Sequence, residues 1–97
     1  MVQIIWLPKA EAHLFEIGQY IAGDSPEQAI RVTTLIRDST EVLEYHPEFG
    51  AVVPELGDEF RELRVYHYRI IYRITEDAIR IVIVVHGSRQ LTGDMVE

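Results

Sequence analysis

From Phe60 to His86 the chain reads FRELRVYHYRIIYRITEDAIRIVIVVH, three runs rich in β-branched and aromatic residues with no room for a helix between them. The runs are expected at about 60–66, 67–75 and 78–86, with TEDA (75–78) as the second turn. Strands joined so tightly pair antiparallel, because a parallel neighbour needs a crossover connection of roughly a dozen residues or more. This unit is the frame to which the rest of the chain has to be fitted.

Upstream, VQIIWL (2–7) reads as a first strand, and Pro8 follows it at a good first helical position. Ala10, Leu14, Ile17 and Ile21 fall at i, i+4, i+7 and i+11, one stripe of a helix running to about Ala22. Gly23 and Asp24 break it. Ser25 is then an N-cap, with Pro26 behind it and Gln28 placed to complete a capping box. The second helix carries Ala29, Val32, Ile36 and Leu43 on one face and should stop before Pro47. So short a link between the helices predicts an antiparallel hairpin. HPEFGAVVPELGDE (46–59) reads as a loop with one extended piece around Val52–Val53, and the tail SRQLTGDMVE (88–97) as ending in a short turn or disorder. The expected fold is α+β, in the order β-α-α-β-β-β: one domain spanning 1–97, an antiparallel sheet with a helical hairpin packed on one face.

Composition excludes several functions. The chain has no cysteine, which removes disulfides, thiolate metal sites and a Cys nucleophile. Four histidines without ligand spacing give no zinc site, and no glycine-rich phosphate loop or other cofactor motif is present. No targeting segment is apparent. The longest apolar run, Ile81–Val85, is far short of the ~20 residues of a membrane span, so a soluble, cytoplasmic protein is expected. The net charge of −7 argues against general nucleic-acid binding. It is unevenly spread, however. Residues 1–60 hold eleven acids and three bases, whereas residues 61–97 hold five acids and six arginines.

Alternation along the strands places those arginines. Ile70, Tyr72 and Ile74 share one face with Leu63, Val65, Ile79, Ile81, Ile83 and Val85, and this purer apolar set should meet the helices. Arg64, Tyr66, Arg69, Arg73, Arg80 and His86 are then expected on the open face, around an apolar middle of Ile71, Val82 and Val84 that a partner would cover. A turn at Glu76–Asp77 sets Arg73 opposite Arg80, a repulsion that neighbouring acids such as Glu62, or a ligand, must relieve. His86, placed beside Arg69, becomes a candidate acid or base. His13 and His46 read as structural, and the acids at 11, 16, 38, 41 and 44 as solvated helix faces.

Four stretches resemble the RelE/ParE superfamily of bacterial type II toxin–antitoxin toxins. These are WLPKAEAHLFEIGQYIA after the opening strand, HPEFGAVVPELGDEFREL, YRIIYRI and HGSRQL. They occur in the family's order and cover nearly the whole chain. VPEL, REL, YRIIYRI and HGSRQL are closer to the ParE branch. That branch implies a toxin that inhibits DNA gyrase with no catalysis of its own, causes growth arrest, serves plasmid stabilisation and is neutralised by a cognate antitoxin. The RelE branch implies a ribosome-dependent mRNA endoribonuclease. On it, Arg69 matches the arginine of the active-site strand and Arg89 lies near a second catalytic arginine, with His86 as acid or base. Arg61 and Arg64 lie near that branch's lysines, but no lysine stands there, and no tyrosine follows Tyr72 to match its C-terminal one. A third reading is a degenerate, non-toxic member that still binds antitoxin. In each case Arg61, Arg64, Tyr66, Arg69, Arg73 and Arg80 are the candidate contacts to substrate or partner, with a homodimer through the same face as the competing arrangement.

Overall fold

In the computed structural model all 97 residues are described. Strand β1 (Gln3–Trp6) leads into helix α1 (Pro8–Ala22), with Pro8 at its first turn as expected. Helix α2 (Pro26–Ser39) starts at Ser25, whose side chain accepts a hydrogen bond from the Gln28 N–H and so satisfies one orphan donor. A 3₁₀ turn over Glu41–Glu44 continues it and buries Leu43. The strands that follow are β2 (Ala51–Val53), β3 (Gly57–Val65), β4 (Tyr68–Ile74) and β5 (Ala78–His86). The loop reading of 46–59 is thus too long. Its extended piece is a real edge strand, and β3 begins three residues before Phe60, at Gly57 with φ of +92°.

The sheet order is β1-β5-β4-β3-β2. The 57–86 meander is antiparallel throughout, but β1 pairs with β5 in parallel, Gln3 against Ala78 through Trp6 against Ile81. The expected antiparallel sheet holds from β2 to β5, and only this edge is parallel. The two helices cross over between β1 and the meander, which supplies the length a parallel neighbour requires.

Two apolar layers sandwich the sheet. Ala10, Leu14, Val32 and Ile36 of the helices meet Leu63, Ile70, Tyr72, Ile79, Ile81 and Val84 on one side. The other side holds Val53, Phe60, Ile71, Val82, Ile83, Val85 and Leu91, with Leu56, Met95 and Val96 packed against them. The apolar middle expected to wait for a partner is therefore covered by the chain itself. The 53–56 turn and the tail lie over it, and the tail ends in a 3₁₀ turn at Gly93–Val96 rather than in disorder. Lys9 holds this end, its ammonium donating to the Met95 carbonyl at 3.2 Å.

A bulge corrects the assignment of faces. Ile71 pairs with Ile83, but Tyr72 pairs with Ile81, leaving Val82 as the extra residue. Alternation restarts after it. Ile79 and Ile81 face the helices as expected, whereas Ile83 and Val85 turn to the far side and Val84 turns to the helices.

Candidate functional site

On the far face, Arg69 is the best-held cation in the molecule. Its Nε and Nη2 donate to the two oxygens of Glu62, both at 2.9 Å. Nη1 and Nη2 also donate to Glu55 at 3.1 and 3.4 Å. The residue is 5% exposed and Glu62 is 8% exposed. The fork geometry of a guanidinium suits bidentate pairing of this kind. The hydrogen bonds that Arg69 donates to Glu62, then to Glu55, raise its pKa above its already high ordinary value, and the bond accepted from Arg69 lowers that of Glu55. Glu62 also takes the Nε of Arg64, the direct cross-strand neighbour of Arg69, at 3.0 Å. One carboxylate thus separates two arginines that would otherwise repel. In this arrangement Arg69 turns four donor contacts inward, and an incoming phosphate would first have to displace a carboxylate.

Arg73 does stand opposite Arg80. A neighbouring acid relieves them as expected, but it is Asp77 and not Glu62. Arg73 lies over the Phe60 ring, 5.9 Å from its centroid, and Arg80 reaches Asp77 at 3.7 Å. Arg61 points to the helix side, where it donates to the Gly50 carbonyl at 2.7 Å and to the Glu48 carbonyl at 3.1 Å. Its cross-strand neighbour Tyr72 receives the Gly50 N–H and donates its hydroxyl to Pro47, so together they pin the 47–50 loop. Burial raises the Tyr72 pKa, which keeps that hydroxyl a donor. At Gly50 a side chain is excluded, since a Cβ would lie 2.5 Å from the Glu62 carbonyl. Tyr66, expected on the open face, is instead in the β3–β4 turn at φ of 53° with its ring exposed.

Arg69 and His86, expected side by side, lie on opposite faces. The Val82 bulge turns His86 to the helix side, where Tyr68 is its cross-strand neighbour and meets it edge-on at 5.8 Å. His67 stacks on His86 at 6.0 Å between centroids. Arg89 follows in the next turn, its N–H bonded to the His86 carbonyl. His86 and Arg89 therefore stay together while Arg69 is excluded from them. They line a cleft of about 540 Å³ between α1 and the ends of β4 and β5. His13 lines it too. Because β1 pairs only as far as Ile81, the Val84 N–H has no strand beside it, and His13 Nδ1 accepts it at 3.2 Å. Burial lowers the His13 pKa. Sequence reading missed His67 and Glu55. Glu55 has a signal in hindsight, an acid within two residues of a buried valine and opposite an arginine-rich strand; His67 has none beyond its place in a turn.

A further groove runs between the outer surfaces of α1 and α2, with exposed Phe15 and Ile30 on its walls. No group of three or more His, Asp or Glu side chains is arranged to hold a metal ion, and no helix is long and apolar enough to cross a membrane.

Comparison with known proteins agrees with this architecture. A family model described as the ParE toxin of the type II toxin–antitoxin system parDE matches residues 4–91. The protein Y4kP of Sinorhizobium fredii (strain NBRC 101917 / NGR234) is 36% identical over 90 residues, which is 91% of each chain. A chain in the solved structure of a chromosomal ParDE toxin–antitoxin system from P. aeruginosa superposes with a TM-score of 0.75, covering 89% of this chain and 96% of that one; at 24% identity it speaks for the fold alone. With the family matched from the first strand to Leu91, this chain belongs to the ParE toxins of type II toxin–antitoxin systems.

Proposed function

We propose that this toxin acts by binding and inhibiting DNA gyrase, without chemistry of its own, and that a cognate antitoxin neutralises it by direct contact. Growth arrest on unopposed expression, and stabilisation of a plasmid carrying the pair, follow from that action, which takes place in the cytoplasm. The saturation of Arg69 carries this reading. A phosphoryl-cleaving site needs cations aimed at the place where charge develops, and here the central arginine is committed to Glu62 and Glu55. The side chains that remain available on the far face and its turn, Arg64, Arg73, Arg80 and Tyr66, offer contacts to a protein partner. The family supplies the antitoxin as one such partner.

Two assays on one antitoxin-free preparation test this. Gyrase supercoiling in the presence of ATP should be inhibited, or cleaved DNA trapped, while mRNA on translating ribosomes stays intact. Cleavage of mRNA at the ribosomal A site with gyrase unaffected would overturn the proposal and make His86 and Arg89 the first residues to replace. Normal growth on expression without antitoxin would place the chain among members that kept binding but lost toxicity. Its mass in solution with and without the antitoxin separates a heteromeric complex from a homodimer.

A further inference from the structure

The cleft between α1 and the ends of β4 and β5 has a donor arrangement that neither gyrase inhibition nor the far-face arginines use. His86 Nδ1 accepts the Ser88 backbone N–H at 3.2 Å and lies 2.8 Å from the Ser88 hydroxyl. His13 Nδ1 accepts the Val84 N–H. A neutral imidazole that accepts at Nδ1 carries its proton on Nε2. Both residues line the same cleft, and neither Nε2 is taken up by a hydrogen bond within the protein. Arg89 lies on the same lining and makes no ion pair, although the protein has sixteen acidic residues to offer it. Glu16 on α1 is the one carboxylate on the wall, and it too is unpaired. Two imidazole N–H donors and one guanidinium suit a monoanion. The rest of the lining is His67, stacked on His86, and apolar or aromatic side chains including Ile17, Tyr68 and Val84.

The geometry points to a carboxylate-binding site here, taking a carboxylate carried on a partner's protein segment, with Arg89 as the anchoring charge and the His13 and His86 Nε2–H groups as the orienting donors. A polyphosphate backbone fits poorly, because it would bring many charges against a chain with net charge −7, whereas one carboxylate on an apolar stem brings a single charge and fills the apolar lining. The stem can be a glutamate side chain or a C-terminal residue. The site lies away from the far-face arginines and stands or falls independently of the gyrase proposal.

NMR of the ¹⁵N-labelled full chain tests it, following the His13 and His86 ring signals and the Arg89 Nε–H. Sodium acetate should give saturable shifts that sodium chloride at equal ionic strength does not. Two peptides then separate the sources: acetyl-Ala-Ala-Leu with a free C-terminus, and acetyl-Ala-Glu-Leu amide. Saturable binding of either supports the site and identifies the stem. Arg89→Gln should weaken the peptide that binds by about tenfold, as expected for loss of one charge-assisted contact. Glu16→Gln should strengthen it, and Arg31→Gln, at an exposed arginine elsewhere, should leave it unchanged. Non-saturating shifts, equal shifts with chloride, or indifference to Arg89→Gln would overturn the inference. Tighter binding of inorganic phosphate than of acetate would overturn the carboxylate assignment.

Discussion

Arg69 shows how little a residue's identity says about its availability. Its resemblance to a catalytic arginine of a related branch was legible in the sequence, whereas Glu62 was read there only as possible relief for Arg73 and Arg80. That Glu55 would fold back from a turn to complete its shell was not, because the contact depends on where the Val53–Gly57 turn lies in space. The pair is also a stability element. Arg69→Ala leaves Glu62 buried with only the exposed Arg64 for company, and should cost about 3 kcal/mol in urea unfolding. The joint change Glu62→Leu with Arg69→Met removes both charges together and should recover most of that loss. His13 makes a second prediction at this scale. Its folded pKa is lowered, so below the ordinary value of 6.5 the unfolded chain takes up a proton that the folded chain resists. Stability should therefore fall as pH drops through about 6.5 and level off below the folded pKa. A His13→Gln variant, which can still accept the Val84 N–H, should lose this part of the pH dependence of the urea midpoint.

Elements with punctuation at their ends were the ones the sequence disclosed. Pro8, Ser25 and Pro26 mark helix starts by local chemistry, and the TEDA turn marks a hairpin, so these features stand where they were expected. The bulge at Val82 had no such mark. IVIVV is apolar at every position, and a strand buried on both faces shows no polar residue to reveal which way each side chain turns. That one extra residue moved His86 across the sheet and dissolved the expected Arg69–His86 pairing. The tail was illegible for a related reason. Leu91, Met95 and Val96 follow no regular period, yet all three pack on the far face. Leu91 is 4% exposed, and Leu91→Ala should lower unfolding free energy by about 2–4 kcal/mol. It should also increase binding of a hydrophobic dye, by loosening the cover over Val82 and Ile83.

At the scale of the whole molecule, charge and fold are divided between the two halves of the chain. Residues 1–60 carry eleven of the sixteen acids, and the meander carries most of the arginine. The parallel pairing of Gln3–Trp6 with Ala78–Ile81 ties these halves together. It also makes the helical core depend on late strands, since Ile79 and Ile81 complete the layer that Ala10, Leu14 and Ile36 begin. A chain stopped at Thr75 should therefore lack cooperative unfolding by circular dichroism, although it retains both helical segments and β4.

That same strand pairing sets a schedule for synthesis. The chain emerges from its first residues, but its first strand has no neighbour until the last strand exists. Contacts of such long sequence separation form late. While α1 and α2 leave the ribosome they carry an apolar stripe without its sheet, and no assembled toxin surface is present at that stage. The sheet can close over the helical core only once Ala78–His86 has been made, whatever is finished before it.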